Sequence, residues 1–203
     1  MEKISDIANE FKTSFEIKGI ALSSPGAVNL KTGFIGGASA IPYIHGVCMT
    51  ELIRERTGLT VTIENDANCA ALAEGWIGAA KDTDYYICIV IGTGIGIGGS
   101  IVMNHSILRR ANLHGGEFGY MIMNDGSGLS GKRDLQSIWS LTSSTRALVT
   151  KVEAAKSLPT GTLTGEEVFR LAELKDIATK ESLTQFYKNL AIGAYNLQYS
   201  LDA

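Results

Sequence analysis

The sequence predicts an α/β fold with a mixed sheet, and three observations carry that prediction. Helical and strand-like patterns alternate over residues 4–77. A β-branched run, VTIE (Val61 to Glu64), leads directly into a proline-free helical stretch that opens at Asp66. A glycine ladder, IVIGTGIGIGGSIV, then separates two strand-like runs before the pattern turns helical from about Ser144.

Taken in order, Ile4, Ile7, Ala8 and Phe11 form a helical stripe within residues 4–15. Residues 17–24, IKGIALSS, are an apolar run stopped by Pro25-Gly26, which reads as a buried strand and a turn. The stretch through Gly33, Gly36 and Gly37, and IPYIHG after it, read as loop. A helix is predicted from about Val47 to Arg56, with Gly58 closing it. After the VTIE strand, a helix runs from about Asp66 to Ile77, where Ala70, Ala71 and Ala73 allow close packing on a sheet. The polar Lys81 to Asp84 stretch is the candidate hinge. YYICIVIG (Tyr85 to Gly92) reads as a buried strand, SIVMN (Ser100 to Asn104) as its neighbour, and EFGYMIMN as a further strand. Three helices follow: TRALVTKVEAAK, TGEEVFRLAELK with a Thr164–Glu167 capping box, and a striped stretch from Leu183 to Leu201.

Composition narrows the function. Lys and Arg number 18 against 21 Asp and Glu in 203 residues, a net charge of -3. Without clustered basic residues, nucleic acid is not an expected partner, since Arg109-Arg110 is too short a cluster. No apolar run is long enough to span a membrane, and MEKISDIANE lacks a signal-peptide core. Cys48, Cys69 and Cys88 are scattered and odd in number, as buried free thiols of a reducing compartment would be, so a cytoplasmic setting is expected.

Gly94, Gly96 and Gly99 satisfy GxGxxG, but a dinucleotide site needs a helix next, and SIVMN is β-branched. The glycines therefore sit on a strand-turn-strand unit. Either that unit is an ordinary hairpin or its backbone amides meet phosphate, with Thr93 adding a hydroxyl. Asp66 stands beyond the carboxyl end of a strand, where α/β sheets bind ligands; it either caps its helix or takes a proton from an alcohol. Asn65 beside it can pair with sugar hydroxyls. Glu117, in HGGEFGY, is a second candidate for hydroxyls or a solvated loop carboxylate. His114 reads as a surface histidine, Glu74 as a helix-face charge, and Trp76 and Trp139 as core or lobe-interface packing.

In order and spacing, SSPGAV, IGGASAIPYIHG, IENDANCAALAE, IVIGTGIGIGGSI and GGEFGYM resemble the ROK family of sugar kinases and sugar-responsive repressors, over nearly the whole chain. The resemblance is to glucokinase- and β-glucoside kinase-like members. It implies an actin/hexokinase-like ATPase fold with a ribonuclease H-like motif, two lobes around a cleft. Residues 1–81 would belong to the small lobe and residues 82–203 to the larger one. It further implies Asp66 as catalytic base, Asn65, Glu117, Gly36 and Gly37 at the sugar, and Gly92, Thr93, Gly94 and Gly96 as a phosphate loop for ATP with Mg²⁺. A homodimer is the family expectation.

Two departures qualify this. Tyr120 stands where many members have histidine, and DGSGLSGKRDLQSIWS holds none of the cysteines of their zinc motif, so no zinc is expected. The family's first phosphate loop and its later adenosine motif are also missing from this sequence. The small lobe is therefore expected to be incomplete and ATP binding by these 203 residues weak or absent. The chain is expected to be a piece of a longer kinase or a short form that binds sugar. A sugar-sensing regulatory module and a plain interaction domain are the alternative readings.

Overall fold

Three short sheets and a helical layer make up the computed structural model, which describes residues 2–37, 39, 41–92, 96–109, 114–123 and 137–202. After helix α1 (Glu2–Lys12), strand β1 (Gly19–Ser24) runs parallel to β4 (Thr60–Asn65), in register from Gly19–Thr60 to Ser24–Asn65. Parallel neighbours need a crossover. Here it contains the hairpin β2 (Ala27–Asn29) and β3 (Phe34–Gly36), a 3₁₀ turn (Pro42–Ile44), and α2 (Met49–Thr57). Val28, Ile35, Ile44 and Ile63 pack together beneath them. As predicted, Gly58 ends α2 in a left-handed conformation, φ 67°.

The hairpin corrects the loop reading of this stretch. Its strands are three residues each, too short for an alternation signal. The Asn29 side chain accepts from the amides of Lys31 and Thr32, and Gly33 supplies the positive φ that turns the chain.

Helix α3 (Asp66–Ile77) has the predicted bounds. It lays Ala67 and Ala71 against a three-stranded antiparallel sheet ordered β5 (Tyr85–Ile91), β6 (Ile97–Met103), β7 (Ser106–Ile107). Tyr86 Oη donates to the carbonyl of Ala71 at 2.7 Å. Away from the Ala67–Ala71 stripe, residues 72–74, 76 and 77 of α3 are exposed. Trp76 is 77% exposed, which corrects its assignment to packing among the described residues. β5 is half-buried rather than buried, since it has one strand neighbour among the described residues. Cys48 is exposed and Cys69 and Cys88 are only partly covered, so the thiols are free but not buried.

Where EFGYMIMN suggested a strand, Phe118–Tyr120 form a 3₁₀ turn, followed by one isolated bridge between Ile122 and Ile138. A Cβ on Gly119 would stand 2.1 Å from the Ile97 carbonyl oxygen and 2.2 Å from Ser140 Oγ. The chain there is pressed onto β6 instead of extending beside it. The helical layer holds α4 (Trp139–Ser143), which the sequence did not announce, then α5 (Thr145–Ala155), α6 (Gly165–Glu173) and α7 (Ile177–Leu201). The α6 capping box is present with both reciprocal bonds. α7 starts six residues before the predicted Leu183, because Asp176 caps it by accepting from Thr179 N at 2.9 Å. Trp139 is fully buried against Ile97, Phe118 and Leu197. It lies over Gly193, where a Cβ would come within 2.3 Å of the ring.

Candidate active site

The end of β4 and the first turn of α3 form one wall of a narrow cleft. Asn65 has extended backbone (φ -64°, ψ 145°), so it is the N-cap and its Oδ1 accepts from Asn68 N at 3.1 Å. Asp66 is thereby released from the capping role that its position allowed. Its Oδ1 accepts from Ala67 N at 3.0 Å, and the side chain is exposed.

The second wall comes from glycines that let backbones touch. A Cβ on Gly98 would stand 3.1 Å from Ala67 Cβ, so α3 rests on β6 at the glycine ladder. A Cβ on Gly99 would strike the Phe118 ring at 2.3 Å and the Cys88 carbonyl oxygen at 2.8 Å. Gly116, at φ 87°, approaches Gly99 so closely that a Cβ would lie 2.7 Å from its carbonyl oxygen. These contacts carry Glu117 over the start of α3. Burial raises the Glu117 pKa; nearby His114 lowers it, and the negative charge of Asp66 raises it again. The two carboxylates therefore share one electrostatic neighbourhood.

Gly26, Asn65, Asn68, Arg109 and Glu117 line the cleft together with Val28, Ile107 and Leu108. Its open space is about 30 Å³, enough for water. The Asn65 amide is also used structurally, since Nδ2 donates to the Gly26 carbonyl at 3.1 Å. Gly36 ends β3 and Gly37, at φ 76°, is open on its Cβ side; neither is in the cleft wall. In the hairpin turn, Gly92 N–H donates to the Gly96 carbonyl at 2.9 Å, which closes the turn and occupies that amide. A Cβ on Gly96 meets nothing within 4 Å. Thr93 and Gly94 lie outside the described residues, as do residues 124–136, where the zinc motif was sought. His114 is exposed, and Glu74 folds back to accept from Ala79 N at 2.9 Å.

Sequence reasoning missed a polar chain beside Asp66. Glu64 Oε1 accepts from Asn65 N at 2.9 Å and Asn68 Nδ2 at 3.0 Å, and Glu64 Oε2 pairs with the Arg109 guanidinium. Asn68 Oδ1 accepts from Ser100 Oγ at 2.6 Å. The four-residue spacing of Glu64 and Asn68 across a strand–helix junction was a usable signal. The 45-residue separation of Glu64 and Arg109 was not.

The parallel β1–β4 pair and the antiparallel β5–β7 sheet, joined by α3 with Asp66 at the strand–helix junction, fit the actin/hexokinase-like ATPase fold. The chain belongs to the ROK family, whose family model matches residues 1–203. It is 40% identical over 190 residues to a β-glucoside kinase of Listeria monocytogenes, covering 92% of this chain and 62% of that relative. A ROK family protein of Streptococcus pneumoniae, solved in complex with sucrose, superposes with a TM-score of 0.81 at 35% identity, over 100% of this chain and 65% of that one. A ROK hexokinase of Thermus thermophilus gives 0.81 at 27% identity, over 100% and 67%. The chain thus spans about 62% of the Listeria kinase.

Proposed function

We propose that the chain carries the sugar site and the proton-accepting base of an ATP-dependent kinase acting on a hydroxyl of a hexose or hexoside. The observation that carries this is a half-buried Glu117 in the cleft wall that feels the charge of Asp66, which opens α3 beside Asn65. Relatives named for β-glucoside phosphorylation and a sucrose-bound neighbour support carbohydrate as the ligand class.

Asp66 keeps one oxygen on Ala67 N and offers the other to the reacting hydroxyl, whose proton it accepts as the oxygen becomes a nucleophile. Glu117 accepts from neighbouring hydroxyls; partial burial makes those charge-assisted bonds stronger than they would be in water. Asn65 fixes Gly26 and the helix start and keeps acceptor and donor capacity toward the sugar. Since Gly92 N–H is spent within the turn, Gly96, open on its Cβ side, is the described residue that best fits close approach by a phosphate. Bound ATP supplies the phosphoryl group transferred. Mg²⁺ would be carried chiefly by the nucleotide phosphates, as in other kinase sites. Lobes 1–81 and 82–203, with α3 packed on the β1–β4 and β5–β7 sheets, and a cytosolic setting for the free thiols belong to the same reading.

A panel of hexoses and glucosides, offered with ATP to the longest polypeptide that the coding sequence supplies, tests the reading. Phosphorylation of at least one is expected. No turnover and no calorimetric binding for any of them would overturn it.

A further inference from the structure

Asp66 is exposed and its one described bond is to the next residue's amide, so its own contacts do not aim it. The backbone of its turn does, and that backbone is clamped on both sides. The Glu64 side chain, only 16% exposed, holds Asn65 N, Asn68 Nδ2 and the Arg109 guanidinium at once. Asn68 passes the tie to Ser100 Oγ, fully buried on the hairpin strand β6. We propose that Glu64 is a positioning residue for Asp66, locking the base-bearing turn to the glycine hairpin and to the end of β7, so that base and hairpin move as one body. This rests on the proposed role of Asp66.

The chemistry calls for a carboxylate. An ionised Glu is acceptor-only, with about four lone-pair sites, and can meet three donors. A Gln of the same size has one acceptor oxygen, and its NH₂ must face at least one of those donors. In a near-attack geometry, a displacement of about 1 Å costs roughly 10²-fold in rate.

The test is Glu64→Gln, read in two ways. In the longest available polypeptide, kcat is expected to fall by roughly 10- to 100-fold. Calorimetric sugar affinity should stay within about threefold, because Glu64 is not itself in the cleft wall. In the 203-residue chain, hydrogen exchange at the amides of Ala67 to Ala71 should accelerate while the α5–α7 core stays protected. A kcat within twofold of the parent, or losses of kcat, sugar affinity and global protection in step, would overturn the proposal. If the unaltered polypeptide phosphorylates no sugar, the kinase reading fails, and exchange alone then decides the clamp. Local loss of protection supports it; unchanged exchange at Ala67 to Ala71 overturns it.

Discussion

At the scale of single residues, the junction of β4 and α3 divides labour between neighbours. From the sequence, Asp66 could cap its helix or act as a base; the structure gives the cap to Asn65 and leaves Asp66 exposed with one oxygen on Ala67 N. What the sequence could not show is the environment of Glu117, because burial and the nearness of Asp66 arise only when Gly116 folds onto Gly99. With its pKa raised, Glu117 binds its proton more tightly in the fold than in the unfolded chain. That stabilisation is complete below the ordinary carboxylate value of about 4.3 and is lost as pH rises through the raised value. Glu117→Gln should therefore raise Tm near neutral pH, with the gain vanishing under acid, while sugar affinity falls. In the parent protein, sugar affinity should drop as pH falls through the raised Glu117 value. A Tm gain that does not depend on pH would refute this assignment.

At the scale of elements, the glycine ladder combines two jobs that its spacing runs together. The context argument excluded a dinucleotide site, and the β5–β6 hairpin bears it out. The sequence placed the ladder in the turn, yet Gly98 and Gly99 lie inside β6 and make room for Ala67 and Phe118. Gly99→Ala must force a ring and a backbone carbonyl apart, at a cost of about 1–3 kcal/mol. Gly96→Ala meets open space, so Tm should hold while nucleotide affinity declines. Equal thermal effects of the two variants would contradict this division. The α7 cap gives a second test at this scale. The Lys156 ammonium, with Thr179, holds the Asp176 carboxyl down to about 2 from an ordinary 3.8. A depressed carboxyl stabilises above its unfolded pKa, so Asp176→Asn should lower Tm at neutral pH and converge with the parent as pH falls through 3.8 toward about 2. Helices with alanine stripes, capping boxes and glycine ends were legible because their signals are local. The β2–β3 hairpin, α4 and the 3₁₀ turn at Phe118 were not, since each depends on a distant backbone pressed against it.

At the scale of the molecule, one arrangement recurs: small residues bring backbones together so that side chains far apart in sequence meet in one cleft. Ala67 on Gly98, Phe118 on Gly99 and Trp139 on Gly193 tie α3, the β5–β7 sheet and the helical layer together. Order and spacing of five motifs were enough to read the family and the fold, because they mark those close approaches. The Glu64–Arg109 tie was invisible for the opposite reason, being a contact without a motif. The account stands on Asp66 as the base, and the most direct measurement separates its chemistry from binding. Asp66→Asn, in the longest polypeptide the coding sequence supplies, should lower kcat by roughly 10²–10⁴-fold while calorimetric sugar affinity stays within a few-fold. Turnover within twofold of the parent, with sugar still bound, would contradict it.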